Sequence, residues 1–461
     1  MDKKVWILGI DFVTINVAWV VYYLVRVRSG WLPMSMEVEL FVPMLIVYCF
    51  WLLLFFLVGL YRPWYAKSRF DELTVVFKTV TAGCLFLFFA IFVDDQGHDP
   101  PVSSRLLIAI YWGILLFFVC MGRVALRSIQ RRMLIAGIGV HNTVIVGSEA
   151  KARQLFDDVQ EYPALGYNVV GFATVNGSPA FDHKGVPVLG SVATLDRIIR
   201  ERSIRDVLVA LDSTDHESLL HVLDKSSASH VGIKIVPDLY DIVSGQARTN
   251  QIYGFPLIDI NPQLMPPWEE SLKRMLDVCV SATVLLVGFP VWLFIALLIK
   301  LESPGPILYT QDRVGRDGKV FKILKFRSMK EGAEAAGPQW ANKKDVRVTR
   351  VGKVLRKLHL DEVPQFWNVL KGEMSLVGPR PERPVFVEQL AKEIPLYHRR
   401  MNVRPGITGW AQVKHKYDEN IEDVRKKVQY DLFYIENMSL RMDFKILLST
   451  VAHVLLGRGH T

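Results

Sequence analysis

Two adjacent carboxylates, Asp361 and Glu362, stand in the most basic stretch of the chain. Side by side they repel unless one takes a proton or a cation sits between them. Mg²⁺ favours such a setting, with one or two carboxylates completed by substrate phosphates and water. The cations needed for phosphate chemistry are close in sequence: Lys325 and Arg327 alternate with apolar Leu324 and Phe326 on a strand-like pattern, and Arg356 lies on the basic side of an amphipathic helix read over Val351 to Leu360. Arg380 sits between Pro379 and Pro381, a stiffened turn that presents its planar fork to phosphate oxygens. Arg404-Pro405-Gly406 repeats the device, with glycines permitting close backbone approach. A structural alternative stands beside this reading. Pro364 and the apolar spacing after it announce a helix, for which Asp361 is placed to be the N-cap.

The elements that must position these residues include a membrane. Residues 301 to 461 carry 29 Lys and Arg against 19 Asp and Glu, whereas the rest of the 461-residue chain is nearly neutral. A basic domain suits nucleic acid, an anionic membrane face or a phosphorylated substrate, so charge alone does not choose. Hydrophobic residues are 51% of the chain and charged ones 22%. Mean hydropathy is nevertheless +0.23, which requires apolar residues to be concentrated in runs. Four runs approach the length of a spanning helix: Val5 to Val25, Leu40 to Tyr61, Val75 to Val93 and Leu106 to Met121. No small-x-small site follows Tyr23, so the first is not read as a cleaved signal.

Lys3, Lys4, Arg62, Lys67, Arg69, Arg123, Arg127, Arg131 and Arg132 place the first, middle and last flanks in the cytoplasm. The acidic loop Asp94 to Pro101 fits the outside. A fifth run, about 275 to 301, is basic on both sides and contains Pro290, which suits a helix that enters the membrane, kinks and returns to the same face. Arg441 to Leu456 is too polar to cross and is read as lying on the cytoplasmic face. Cys49, Cys84, Cys120 and Cys279 form no CxxC pair and are read as buried thiols.

Between Asn142 and Asp241 short apolar runs at 143–147, 169–172, 207–210 and 233–236 alternate with helical patterns at 151–161, 195–202 and 218–229, the signature of an open α/β sheet. A dinucleotide fingerprint needs three glycines after the first strand. The chain offers Gly147, Glu149 and Ala152, so a regulatory or dimer-forming module is the preferred reading over a nucleotide site.

Read in order, Pro304-Gly305-Pro306, Lys325-Phe326-Arg327-Ser328-Met329, Leu360-Asp361-Glu362-Val363-Pro364-Gln365, Asn368 through Glu382 and Arg404-Pro405-Gly406-Ile407-Thr408-Gly409 strongly resemble the bacterial polyprenyl-phosphate sugar-1-phosphate transferases. The resemblance covers about residues 270 to 461 and extends loosely over the whole chain, as the long undecaprenyl-phosphate hexose-1-phosphate branch. It implies transfer of a sugar-1-phosphate from a UDP-sugar to undecaprenyl phosphate, with release of UMP and initiation of a surface polysaccharide. It implies Asp361 as nucleophile, Glu362 as a partner in holding Mg²⁺, and Lys325, Arg327, Arg356, Arg380 and Arg404 on phosphates. It also implies a re-entrant fifth segment kinked at Pro290. Two departures are visible: Phe289 replaces a frequent Ser before the kinking proline, and His359 replaces a small Ser or Thr before Leu-Asp-Glu.

The expected architecture is thus a membrane α-helical plus α/β protein of the bacterial inner membrane. Residues 1–132 form a four-helix transmembrane domain, 133–262 a Rossmann-like cytoplasmic domain, and 263–461 an α-rich catalytic domain facing the cytoplasm. The expected partners are membrane lipids and a second copy of the chain, and nucleic acid is not among them. The competing reading is a non-catalytic membrane scaffold in which Asp361 only caps a helix.

Overall fold

The computed structural model describes residues 3–28, 39–61, 69–94, 102–175, 181–211, 215–227, 231–237, 257–260, 265–330, 347–414 and 421–455. Most of the acidic loop, residues 95–101, together with Arg62 and Lys67, lies outside them. The chain divides into two compact units, 1–262 and 263–461.

The first unit begins with four helices, α1 (Lys3–Arg28), α2 (Phe41–Val58), α3 (Arg69–Asp94) and α4 (Val102–Ile135). Each contains a stretch long and apolar enough to cross a membrane: Val5–Val27, Phe41–Val58, Phe70–Ala90 and Leu106–Ile135. Their shared core holds Trp51, Phe55, Val76, Val80, Leu115 and Val119, while Phe41, Phe56, Phe86 and Phe117 face outward, as a lipid-immersed bundle requires. Asp11 does not interrupt α1 as a defect. Both of its oxygens pair with the Arg123 guanidinium, whose Nη1 reaches Glu72 Oε1 at 3.1 Å, and Arg127 completes the set on Glu72. Arg123 therefore lies inside the bundle, 1% exposed, and α4 continues past it to Ile135. The thiol reading needs correction: Cys84 is buried, but Cys49 and Cys279 are exposed on apolar helix surfaces.

The sheet of this unit has strands β1 (His141–Gly147), β2 (Tyr167–Thr174), β3 (Asp182–His183), β4 (Val186–Ser191), β5 (Asp206–Ala210), β6 (Gly232–Ile235) and β7 (Ile258–Asp259). Their order is 3-4-2-1-5-6-7, parallel through the centre and antiparallel at both edge pairs. The four strands read from sequence are the buried central ones. The edge strands β3 and β7 have two residues each and leave no apolar run, and β4 is interrupted by Pro187 and Gly190. Gly147 has a packing reason: a Cβ there would stand 2.2 Å from the Ala210 carbonyl oxygen.

In the second unit, helices Pro267–Val287 and Phe289–Glu302 meet at a 62° bend. The break falls at Gly288, and Pro290 opens the second helix, where its missing N–H is harmless. Trp292 folds back under the break and its indole N–H donates to the Val284 carbonyl at 3.0 Å, so the indole supplies a donor at the bend that a Ser at 289 is not there to provide. A Cβ at 288 would sit 2.4 Å from that ring. Leu286, Val287, Phe289, Leu293 and Phe294 around the bend are all exposed.

After the bent pair comes a hairpin of Leu308–Val314 and Val320–Phe326. The first strand runs through Val314, and the turn begins at Gly315. Helix Arg350–Lys357 follows, then a 3₁₀ turn Leu360–Glu362, helix Gln365–Lys371, and a two-stranded pairing of Ser375–Val377 with Gly406–Thr408. The terminal helix Leu440–Leu455 buries Ile446 and Asp443 while leaving Phe444, Leu448 and Val451 exposed in one stripe.

Candidate active site

Ile295, Ile299, Phe326, Leu355 and Val363 form one apolar cluster. The second half of the bent helix pair is therefore the floor on which the strand end, the basic helix and the Asp361 turn all rest. Helix Arg350–Lys357 approaches so closely that a Cβ at Gly352 would lie 2.0 Å from the Ser328 carbonyl oxygen. Two residues past its end stands His359, whose backbone is left-handed at φ 55°, an uncommon conformation for a non-glycine residue. That reversal starts the 3₁₀ turn and presents Asp361 and Glu362.

Asp361 is buried, and it is not a helix cap. The helix beginning at Gln365 has Pro364 at its N-cap position with no side-chain cap bond. Among the described residues nothing hydrogen-bonds to the Asp361 carboxylate. Burial raises its pKa; the Lys325 charge opposes this, Glu362 adds to it, and Arg356 and His359 lower it. Glu362 is the opposite case. Its Oε1 accepts from Lys325 Nζ at 2.6 Å and from Arg380 Nη2 at 2.8 Å. Burial alone would raise the pKa of Glu362, but the Arg380 and Lys325 charges more than offset it and hold the carboxyl well below the usual range.

The structure thus brings Asp361, Glu362, Lys325 and Arg380 together, with Arg356 near enough to act on Asp361 electrostatically. Two other cations stand apart. Arg404 Nε donates to Gly372 O at 3.0 Å at the far end of helix Gln365–Lys371, where Arg274 also binds the Val369 and Leu370 carbonyls. Arg327 reaches Ser303 at the end of the bent pair. Asp361 and Glu362 form a two-carboxylate donor set, and among the described residues no third His, Cys, Asp or Glu makes a protein-only metal cage with them. Such a set suits Mg²⁺ only when phosphates complete the shell.

Sequence reasoning missed the residues that hold this set in place. Asn368 bonds both Leu324 N and Lys322 O, locking helix Gln365–Lys371 to the strand that carries Lys325. Around Arg380, four consecutive carbonyls are each taken by a donor, and the donors come from three different elements. Pro379 O accepts from Gly406 N (3.0 Å), Arg380 O from Arg400 Nη2 (3.1 Å), Pro381 O from Arg313 Nη1 (2.8 Å) and Glu382 O from Val314 N (2.9 Å). Arg400 is in turn fixed by Asp431 and by the Tyr397 hydroxyl, both at 2.8 Å. No spacing rule pairs 380 with 400 or 431; only the fold brings them together.

A family model described as "Bacterial sugar transferase" matches residues 268–457, and one described as "CoA-binding domain" matches 57–237. The chain is 31% identical to the "UDP-glucose:undecaprenyl-phosphate glucose-1-phosphate transferase" of Xanthomonas campestris pv. campestris, over 87% of this chain and 84% of that protein. It is 31% identical to the protein of the same description from Escherichia coli (strain K12), over 85% and 83%. It is 43% identical to the "UDP-N-acetylgalactosamine-undecaprenyl-phosphate N-acetylgalactosaminephosphotransferase" of Aeromonas hydrophila, a match that spans 51% of this chain and about half of that relative, 55% of its length.

Proposed function

From the premise that the chain belongs to the bacterial sugar transferases, we propose that it moves a hexose-1-phosphate from a UDP-sugar to undecaprenyl phosphate through a phosphosugar–Asp361 intermediate, at the cytoplasmic face of the inner membrane. One observation carries the mechanism: Asp361 is buried, caps nothing and has no hydrogen-bonding partner among the described residues, while its neighbour Glu362 gathers two cations. A capping role was the basis of the scaffold reading, and Asp361 makes no cap. The multi-pass bundle, the exposed apolar bend at Leu286 to Phe294 and the stripe Phe444, Leu448 and Val451 support a site built against lipid, with the bent pair dipping in and returning.

An Asp361 oxygen attacks the sugar-bearing phosphorus, the phosphoanhydride bond breaks, and UMP departs as an anion that needs no proton. An oxygen of the acceptor phosphate then attacks the same phosphorus, the aspartyl–phosphorus bond breaks, and the carboxylate is restored with the polyprenyl diphosphate sugar as product. The difficulty is an anion attacking an anion. Lys325 and Arg380, held by Glu362, point their charge at the phosphates, and Arg356 adds to it. Burial keeps water from solvating the Asp361 carboxylate, which leaves it reactive and excludes hydrolysis of the intermediate. Mg²⁺, held by Asp361 and Glu362 together with the diphosphate, would supply charge neutralisation there.

UMP release by the purified protein with Mg²⁺ and undecaprenyl phosphate, across a panel of UDP-sugars, tests the assignment. Turnover with one sugar identifies the donor. A well-folded protein inert to every UDP-sugar and to other nucleotide donors would refute it.

A further inference from the structure

Arg327 is 7% exposed, yet only one of its three guanidinium nitrogens is used. Nη2 donates to the Ser303 carbonyl at 2.8 Å and to the Ser303 hydroxyl at 2.9 Å, whereas Nε and Nη1 are buried without any hydrogen-bond partner. A buried guanidinium with two unmet donors is costly unless an anion completes it. Among the described residues no carboxylate forms an ion pair with it. The acid of the same turn, Glu302, spends its two oxygens on the backbone N–H groups of Arg350 (2.7 Å) and Val351 (3.0 Å).

The position is specific. Ser303 ends the second helix of the bent pair, and Lys300 of that helix places its ammonium on Gly305 O, so a second cation borders the same turn. Leu293, Leu297 and Leu301 of the helix are all exposed, at 62%, 54% and 74%, an apolar path that ends at this turn. Lys325 lies within the strand Val320–Phe326, whereas Arg327 is the first residue past it, its backbone N–H donating to the Ile307 carbonyl at 2.9 Å. Lys325 belongs to the Glu362 cluster and Arg327 to the helix exit. The two cations therefore serve different phosphates.

We propose that Nε and Nη1 of Arg327, bordered by Lys300, form the subsite for the phosphate of the membrane-borne acceptor, whose polyprenyl chain follows the exposed Leu293, Leu297 and Leu301 face. This rests on the transferase reading and divides its phosphate cluster in two: Lys325 and Arg380 for the soluble donor, Arg327 for the lipid.

Steady-state kinetics of the full-length protein in nanodiscs test it, with undecaprenyl phosphate varied at saturating UDP-sugar and the reverse. Arg327→Gln should raise KM for the lipid phosphate about tenfold or more, the loss of a charge-assisted hydrogen bond. KM for the UDP-sugar should stay within about twofold. Arg327→Lys, which keeps the charge and a donor toward Ser303, should be intermediate and preserves the fold if the Gln variant does not. Ser303→Ala, which leaves Nε and Nη1 untouched, should leave the lipid KM close to wild type. Inorganic phosphate, added as a competitor, should compete with the lipid only weakly, because it lacks the chain. A rise in the donor KM, a weakened product inhibition by UMP, or an unchanged lipid KM in both Arg327 variants would overturn the subsite while wild-type turnover keeps the transferase reading intact. Wild-type protein without turnover would overturn both.

Discussion

At the residue scale the mechanism turns on two neighbouring carboxylates with opposite electrostatics. Asp361 must be ionised to attack, and its pKa is raised by burial, so kcat/KM should fall as pH is lowered through a value above the ordinary Asp range. Glu362, held well below that range by Arg380 and Lys325, stays charged throughout and should contribute no limb. Lys325 lowers the Asp361 pKa and Glu362 raises it. Lys325→Met should therefore move the acid limb to higher pH and Glu362→Gln to lower pH, in profiles measured on the residual activity. Removing Lys325 or Arg380 should also cut kcat by roughly a hundredfold to a thousandfold.

Linkage gives a stability counterpart. A folded-state pKa above the unfolded value means that stability is lost as pH rises through the folded value. Asp361→Asn should thus melt at or above wild type at neutral pH, and the gap should close below the Asp361 pKa. The carboxylates and Arg380 were legible because adjacency and proline flanking are local. Arg400, Arg313 and Asn368 were not, because their roles exist only across the fold.

At the scale of elements, two glycines and one indole set the geometry. Gly352→Ala would drive a Cβ into the Ser328 carbonyl, and backbone cannot swing aside as a side chain can. Helix Arg350–Lys357 would shift, carrying Arg356 and the Asp361 turn with it. The expected cost is about 1–3 kcal/mol in unfolding free energy, with a fall in turnover measured on the same preparation. The bent pair was legible in outline from Pro290 and basic flanks. The location of the break at Gly288 and the Trp292 bond that satisfies it were not, since an indole reaching eight residues back leaves no sequence pattern. The helix at 365 was also legible from Pro364, but the cap inference failed. The left-handed His359 and the 3₁₀ turn insert a reversal that no periodicity encodes.

At the scale of the whole molecule, four apolar helices, a mostly parallel sheet and a transferase unit were all readable from hydropathy, alternation and motif order. The charges inside the bundle were not. Asp11, Glu72, Arg123 and Arg127 look like flank or interruption in a linear reading, and become one closed network only when α1, α3 and α4 meet. Asp11→Leu leaves Arg123 with Glu72 as its remaining carboxylate in the bundle and should cost about 3–5 kcal/mol, read as a drop in the melting temperature of the protein in nanodiscs. Adding Arg123→Met should recover part of that loss.

The central claim, that Asp361 carries the sugar phosphate, is tested most directly by omitting the lipid. With Mg²⁺, the UDP-sugar that supports turnover and no undecaprenyl phosphate, wild-type protein should release UMP in a burst that stops near one equivalent and leaves the sugar phosphate on Asp361. Asp361→Asn should release none while remaining folded, its turnover lower by roughly a thousandfold or more. UMP release that appears only when lipid phosphate is added, or a burst undiminished in Asp361→Asn, would contradict the account.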